Sequence, residues 1–231
     1  ALWRRVQDCP GVHVRQAGRG LAGGDSTAAR LVDATGRRAL TARGHARPAP
    51  AWVVTCCTLE RGDLDPTMRL AAGPTGYAYR LGSARWLTVG WVGPGSPPRD
   101  AAELRRRLEA ESAGWLAGDV DVHQGRWSRR VASLSIPFGS PGVVAIGDAA
   151  LARDALASQG TSIGLSDARL AAGGASRHDL EHRRADGLDR HLRSLRGVLA
   201  TCRHRDQPAW STYGRWVEHQ LGVSARPASG A

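Results

Sequence analysis

The stretch GVVAIGDAALARDALASQGTSIGLSDARLAA, residues 142–172, constrains the fold of this chain more than any other part of the sequence. It begins with a run of small and apolar residues, GVVAIG, which predicts a short buried strand. Gly147 ends that strand, and Asp148 follows at its carboxyl end. About a dozen residues later, Gly160 and Thr161 open a segment that we predict to be a helix reaching to the end of the stretch.

This arrangement indicates the chemistry of a ligand. In layered α/β folds, ligands bind beyond the carboxyl ends of the strands, and Gly147 allows a bulky group to approach the backbone closely. The carboxylate of Asp148 can only accept hydrogen bonds, which suits a polyol hydroxyl. The N-terminus of the helix at Gly160 favours an anion or a developing negative charge. A flavin meets both requirements, because it joins a ribitol chain to an electron-accepting ring.

The same residues resemble the second FAD motif of the class A flavoprotein monooxygenases, the family of para-hydroxybenzoate hydroxylase and its halogenase and reductase relatives. The family pattern is GDAA, a short loop with Asp-Pro, and a Gly that opens a helix. It matches this sequence at Gly147, Asp148, Ala149, Ala150, Asp154, Gly160 and Gly164. The resemblance implies that Asp148 hydrogen-bonds the ribitol and that Gly160 and Thr161 face the flavin pyrimidine edge. Ala155 stands where the family usually has Pro, which leaves the placement of the ring open.

A second segment, LVDATGRRALTAR at 31–43, resembles the strand of the same family that ends in Asp-Ala-(Thr/Ser)-Gly-Arg. The resemblance implies that Asp33 and Gly36 lie close to the cofactor, at the end of the last strand of the nucleotide domain. The pattern GYAYRLGS at 76–83, with the Arg- and Trp-rich C-terminal helices, looks most like tryptophan-halogenase-like flavoproteins that modify peptides or mature quinone cofactors in partner oxidases.

The fold implied by this resemblance is the C-terminal portion of a Rossmann-like FAD/NAD(P)-binding α/β flavoprotein monooxygenase, with an α+β substrate domain. We predict the following units: a remnant of the FAD-binding domain at 1–48, a substrate-domain sheet plus helix at 49–140, the second FAD motif at 141–174, C-terminal helices at 175–221 and a disordered tail at 222–231. The predicted strands are 12–17, 28–35, 51–60, the hairpin 77–83 and 85–93, 131–138 and 142–147, and the predicted helices are the end of one at 1–8, 101–118, 160–172 and a helix or helix pair at about 178–205.

In the substrate domain, Tyr79, Arg80 and Trp91 are the candidate substrate contacts, although aromatic residues at alternating strand positions more often pack a sheet. No catalytic residue is assigned from the sequence. The N-terminal GRGLAG, residues 18–23, matches GxGxxG, but the next predicted strand begins near Ala28 and leaves no room for a crossover helix. We interpret this match as a hairpin turn and not as a dinucleotide fingerprint.

The resemblance implies a FAD-dependent oxidoreductase, with NAD(P)H as electron donor, that hydroxylates an aromatic or peptide-borne substrate. Halogenases of the group use a lysine, and this chain has none, which favours hydroxylation. The family begins with a βαβ unit carrying a true GxGxxG, which this sequence lacks. We therefore expect the chain to bind FAD poorly unless an N-terminal half or a second chain completes the site. The alternative is a non-catalytic, basic remnant of the flavin fold that binds a protein or nucleic acid.

The amino-acid composition limits which classes of partner we expect this chain to bind. The net charge is +11, but all 32 basic residues are Arg and there is no Asn, as a GC-rich genome would produce. The charges are dispersed among acidic residues, so a nucleic-acid partner is disfavoured. The four cysteines show no CxxC spacing, which favours a reduced, cytoplasmic protein. The pair His178 and His182 lacks an evident third ligand, so no metal site is predicted, and no apolar stretch is long enough to span a membrane.

Overall fold

The computed structural model describes residues 31–34, 36, 39, 44–46, 50–60, 67–114, 120–131, 136–138, 143–153 and 160–224. Within these ranges the strands are β1 (Leu31–Asp33), β2 (Gly44–Ala46), β3 (Trp52–Glu60), β4 (Met68–Ala72), β5 (Tyr77–Gly82), β6 (Trp86–Pro94), β7 (Arg126–Val131), β8 (Ile136–Phe138) and β9 (Val143–Ala145). The helices are α1 (Ala101–Ser112), α2 (Gly160–Ala172), α3 (Arg177–Thr201) and α4 (Pro208–Ser224). The predicted helix at 1–8, the strand at 12–17 and the glycine-rich turn at 18–23 lie outside the described residues.

Five strands form one antiparallel sheet in the order β4-β5-β6-β3-β7. The predicted hairpin is confirmed: β5 pairs with β6, and Tyr79 lies opposite Gly90. The predicted third strand is confirmed as β3, which pairs with β6 on one side and β7 on the other. With helices on both of its faces, this sheet makes the described chain a mixed α+β structure, as predicted for the substrate domain.

The two faces of the sheet bury different helices. Leu87, Val89 and Trp91, which alternate along β6, pack on one face against Leu104 and Leu108 of α1. Each of those two leucines is fully buried, which stabilises the fold by about 1.5–3 kcal/mol per side chain. The opposite face packs against α3 and α4 through a cluster that includes Trp52, Tyr77, Val92, Leu192, Leu195, Leu199, Trp210, Tyr213 and Val217.

Aromatic rings join the sheet to α4. The ring of Trp52 stacks on Tyr213 at a centroid distance of 5.1 Å and meets the edge of Trp210 at 5.3 Å. The indole N–H of Trp210 also donates a hydrogen bond to the carbonyl of Gly73, at 2.7 Å, in the turn between β4 and β5. These contacts fix the C-terminal helices on the sheet.

Helix α1 begins as expected and ends early. Asp100 is its N-cap, and the side chain accepts a hydrogen bond from the backbone N–H of Glu103. The helix ends at Ser112, because Ala113 takes a left-handed conformation with φ of 50° and Gly114 follows at 85°. The predicted end at residue 118 is therefore wrong. A glycine just past the last turn is a common stop signal, and it outweighs the apolar residues that follow it in the sequence.

Two short strand pairs form separate two-stranded sheets. β1 and β9 are parallel, with Asp33 opposite Ala145, and β2 and β8 are antiparallel. The segment 131–138, predicted as one strand, contributes to two sheets, since Val131 belongs to β7 and pairs with β3 whereas β8 pairs with β2. The parallel β1–β9 pair joins two segments that the sequence analysis assigned to FAD binding, at 31–33 and 143–145.

The C-terminal helices follow the prediction in outline. The helix predicted at 160–172 is confirmed as α2, and the Arg- and His-rich region forms α3, which begins at a capping box between Ser176 and Asp179. The predicted tail is corrected at its start, because α4 continues to Ser224. None of the helices described here is both long enough and apolar enough to cross a membrane.

Candidate functional site

The parallel pairing of β1 and β9 brings together the two motifs that resemble FAD-binding segments. Asp33 ends β1, and its carbonyl accepts a hydrogen bond from the N–H of Ile146 at 2.9 Å, just after β9. The chain leaves both strands at the same edge, so Gly36 and Gly147 follow neighbouring strand ends. Motifs more than a hundred residues apart in the sequence thus share one place in the fold.

Gly147 begins a single 3-10 turn after β9 and has φ of +56°, a conformation that favours glycine. A Cβ atom at this position would lie 3.1 Å from the Cα atom of Gly164 in α2. The N–H of Gly147 donates to the carboxylate of Asp167 at 3.0 Å, and this bond is buried. The close approach of the turn to α2 therefore depends on the glycine at 147 and on one buried carboxylate.

Sequence reasoning missed Asp167. A signal was present, because Gly164 and Asp167 follow Gly160 by four and seven residues, so all three share one face of α2. That face is the one turned toward Gly147 and Asp148.

Asp148 lies at the N-terminal end of α2. A Cβ atom placed on Gly160 would stand 3.3 Å from the Oδ1 atom of Asp148, so the carboxylate sits beside the first residue of the helix. The first backbone N–H groups of a helix have no partner within it, and they point in this direction. The turn therefore combines a hydrogen-bond acceptor with donors from the backbone.

These residues line an open cleft of about 610 Å³, which we call the glycine cavity. Its lining is Ala34, Gly36, Ile146, Gly147, Asp148, Gly160, Thr161 and Gly164. Five of the six predicted cofactor residues line it. The sixth, Asp33, is buried with 2% of its surface exposed and does not line the cavity.

The lining of the glycine cavity is compatible with a flavin. Four glycines leave the backbone open to a flat or extended ligand, and a Cβ at any of them would narrow the walls. The carboxylate of Asp148 is the acceptor that a ribitol hydroxyl needs, and the helix N-terminus supplies the donors for a ring edge with negative character.

The structure does not bring the three candidate substrate contacts together. Trp91 is 2% exposed and packs in the core against α1, with the guanidinium of Arg107 4.3 Å from its ring centroid. Arg80 lies opposite Val89, on the side of the sheet that faces α1. Tyr79 packs on the other side, with the cluster around α3 and α4. None of the three lines the glycine cavity.

Two titratable groups of the sheet are shifted by burial. Burial, and after it the neighbouring Cys56, raise the pKa of the Cys57 thiol to about 11. Burial also raises the pKa of Tyr79, again with Cys56 as the second cause. Both groups are therefore protonated near neutral pH, and Cys57 is not a thiolate nucleophile there.

A second cavity, of about 640 Å³, lies beside the first and shares Gly147 with it. We call it the arginine cavity, because Arg153, Arg183, Arg184 and Arg190 line it. The sequence analysis treated the basic residues as dispersed charges and did not single out this wall. The seven-residue spacing of Arg183 and Arg190 places them on one face of α3, which is the signal that could have identified this wall.

Comparison with solved structures shows which fold this geometry belongs to. A flavin-dependent halogenase from Xanthomonas campestris superposes on 87% of this chain with a TM-score of 0.56 and 15% sequence identity. The myxobacterial chondrochloren halogenase superposes on 85% with a TM-score of 0.56 and 18% identity. A lanthipeptide tryptophan 5-halogenase superposes on 87% with a TM-score of 0.52 and 17% identity.

The chain has part of the flavin-dependent halogenase fold. It spans 45%, 54% and 42%, respectively, of those three proteins, so it covers about half of a flavin-dependent halogenase. No family model matches the sequence, and no curated protein is significantly similar to it. The likeness to the halogenase fold therefore rests on structure and on the two short motifs.

Proposed function

We propose that this chain forms part of a FAD-dependent oxidoreductase whose flavin binds in the glycine cavity. The observation that carries the proposal is the convergence of two motifs, around Asp33 and Asp148, on one cavity lined by five predicted cofactor residues. The overlap with flavin-dependent halogenases at TM-scores above 0.5 supports it.

Five of the eight residues that line the glycine cavity have a role under this proposal. Asp148 accepts a hydrogen bond from a ribitol hydroxyl, and the N–H groups at Gly160 and Thr161 stabilise negative charge at the pyrimidine edge of the ring. Gly36 and Gly147 have no side chain, so the cofactor can lie directly against the backbone at these positions. The bound flavin supplies the oxidation chemistry, and these residues position it.

The reaction we propose is monooxygenation of an aromatic or peptide-borne substrate with NAD(P)H as electron donor. Part of the nucleotide site would come from an N-terminal half or from a second chain, because the pyrophosphate of FAD needs an anion site that the glycine cavity does not supply. Halogenation is the second candidate, favoured by the structural likeness to the three halogenases named above. Product analysis with and without halide separates the two reactions.

The first test is a binding titration of the purified chain with riboflavin and with lumiflavin, which lacks the ribitol. We expect riboflavin to bind more tightly, because only riboflavin offers hydroxyls to Asp148. Asp148→Asn should weaken riboflavin binding by about tenfold, the effect of losing one charge-assisted hydrogen bond, and should leave lumiflavin binding unchanged.

Asp186→Asn is the matched control, because Asp186 is an exposed carboxylate of α3 outside the glycine cavity. It should bind both flavins as the wild type does. Equal affinity of the wild-type chain for riboflavin and lumiflavin, or no saturable binding of either, would contradict the proposal.

A further inference from the structure

We propose that the arginine cavity binds the oxyanion group of the substrate, and that this substrate is a small molecule with an aromatic body and a carboxylate or phosphate monoester. The identification of this ligand as a substrate rests on the proposed function, whereas the assignment of an anion site rests on the residues that line the cavity. The two cavities share Gly147, so a ligand in the arginine cavity lies next to the candidate flavin site.

The charge of the arginine cavity is strongly unbalanced. Arg153, Arg183, Arg184 and Arg190 line it, and Asp167 is the one carboxylate among the described residues that do so. The carboxylate of Asp167 already accepts the buried hydrogen bond from Gly147. A ligand that brings negative charge would balance the guanidinium groups, of which those of Arg153 and Arg184 are half-buried and those of Arg183 and Arg190 are exposed. Charge-assisted pairing is strongest at the half-buried groups.

Arg184 shows the imbalance most directly. Its Nη2 atom donates to the backbone carbonyl of Ala145, which carries no net charge. Its Nε atom is buried and has no hydrogen-bond partner in the described structure. Burial lowers the pKa of this guanidinium, and the nearby Asp167 and Glu181 offset that effect only in part. An oxyanion in the cavity would supply the charge that these neighbours do not.

Gly187 gives Arg153 its place in the wall. A Cβ atom on Gly187, in the middle of α3, would lie 2.6 Å from the Nη2 atom of Arg153, so the guanidinium packs directly on the helix backbone. A glycine inside a helix costs about 1 kcal/mol relative to alanine. At this position the lost side chain makes room for a cationic group that faces the cavity.

The remaining wall is apolar, which defines the rest of the ligand. Leu70 of β4 and Val198 of α3 line the cavity although 46% and 53% of their surfaces are exposed. Leu151, Ile163 and Leu195 lie further in. A cavity with cationic groups on one side and aliphatic groups on another suits an amphipathic molecule, and an aromatic body is the part on which a flavin enzyme of the proposed kind acts.

Calorimetric titration of the flavin-free chain with phenylacetate, phenyl phosphate and neutral phenylacetamide tests this proposal. We expect at least one of the two anions to bind about tenfold more tightly than the amide, as one charge-assisted hydrogen bond predicts. Tighter binding of phenylacetate assigns a carboxylate substrate, and tighter binding of phenyl phosphate assigns a phosphate monoester. Equal binding of all three probes, or none, overturns the proposal.

Two variants and a control separate the cavity from the general positive charge of the chain. Arg190→Gln removes a cavity cation, and Gly187→Ala displaces the end of Arg153 while improving the helix, so it should fold at least as stably as the wild type. Both should weaken anion binding by about tenfold. Arg193→Gln removes the same charge from α3 at an exposed position outside the cavity, and it should bind as the wild type does.

Equal weakening by Arg190→Gln and Arg193→Gln would mean that net charge attracts the anion, and it would overturn the cavity assignment. The riboflavin titration is independent of this experiment. Loss of riboflavin discrimination with anion binding intact would refute the proposed function alone, and the reverse result would refute only the anion site.

Discussion

At the scale of single residues, the candidate flavin site depends on backbone geometry more than on side chains. Gly147 takes a left-handed conformation and lies against Gly164, and the carboxylate of Asp148 lies beside Gly160. A Cβ atom on Gly147 or on Gly160 would be closer than an ordinary contact, at 3.1 Å from Gly164 and 3.3 Å from Asp148. This pattern explains how a strand end and a helix N-terminus approach closely enough to share one ligand.

The pair Gly147 and Gly164 allows a matched stability test. Gly147→Ala should destabilise the chain by about 1–3 kcal/mol, because it forces alanine into a positive φ and against the backbone of Gly164. Gly164→Ala should be neutral or stabilising by up to about 1 kcal/mol, because Gly164 is helical and its Cβ would meet Gly147 at an ordinary 3.7 Å. Urea unfolding of both variants measures the difference, and equal free energies of unfolding would contradict this account.

Residues that line the glycine cavity could be predicted from the sequence where they belong to a recognisable motif. Gly36, Gly147, Asp148, Gly160 and Thr161 were identified by resemblance and do converge. Asp167 and Arg153 were missed. The helical spacing of Asp167 from Gly160 and Gly164 was a signal that could have found it, whereas a guanidinium packed on a helix leaves no mark in a pattern of residue types. Their roles depend on which elements become neighbours in space.

At the scale of elements, the periodic segments were predicted and the edge strands were not. The β5–β6 hairpin and α2 have clear alternation or helical spacing. β4 exposes three of its five residues, and β7 is Arg-rich with exposed side chains, so neither shows a regular apolar pattern. Both lie at edges of the five-stranded sheet, where polar and charged residues also oppose unwanted pairing with other chains.

Helix α3 owes its start to a reciprocal cap that can be tested alone. Asp179 donates its N–H to the hydroxyl of Ser176 at 3.1 Å, and its carboxylate accepts from that hydroxyl at 2.7 Å. Ser176→Ala should lower the free energy of unfolding at neutral pH by about 1 kcal/mol. Ser194→Ala, at an exposed site of the same helix, should change it by less than about 0.5 kcal/mol.

The cap also predicts a pH dependence. The hydroxyl and then the N–H of Ser176 hold the pKa of Asp179 below its usual value of 3.8. Because the pKa is lowered in the folded chain, this stabilisation is present above pH 3.8 and is lost as the pH falls through the lowered value. The difference between wild type and Ser176→Ala should therefore shrink in acid, and a constant difference across that range would argue against the cap.

At the scale of the whole molecule, α4 holds the sheet and the long helix α3 together. Trp52, Trp210 and Tyr213 stack across this junction, and the indole of Trp210 is tied to the carbonyl of Gly73. The arginine cavity lies against α3 and is lined by Leu195 of the same cluster, so its wall depends on this junction. Its position follows from long-range packing of aromatic residues, which sequence spacing does not reveal.

Substitution of two tryptophans of α4 distinguishes the contribution of the Trp210–Gly73 hydrogen bond to stability from that of aromatic packing. Trp210→Phe and Trp216→Phe remove the same atoms, but the Nε1 atom of Trp216 is buried without a hydrogen-bond partner among the described residues. Trp210→Phe should therefore be the more destabilising by about 1–3 kcal/mol, since it leaves the Gly73 carbonyl unsatisfied. Thermal and urea unfolding of the two variants give the comparison, and equal losses would assign the junction to packing alone.

The pairing of β1 with β9 has a consequence for how the molecule assembles. The two strands are separated along the chain by the entire five-stranded sheet and α1, and every strand pairing within that sheet joins residues that are closer along the chain. Closing so long a loop becomes favourable only after the intervening chain has become compact. We expect the five-stranded sheet to form first and the two strands beside the glycine cavity to pair late. The rate at which the sheet folds would then limit how soon the glycine cavity can bind a ligand.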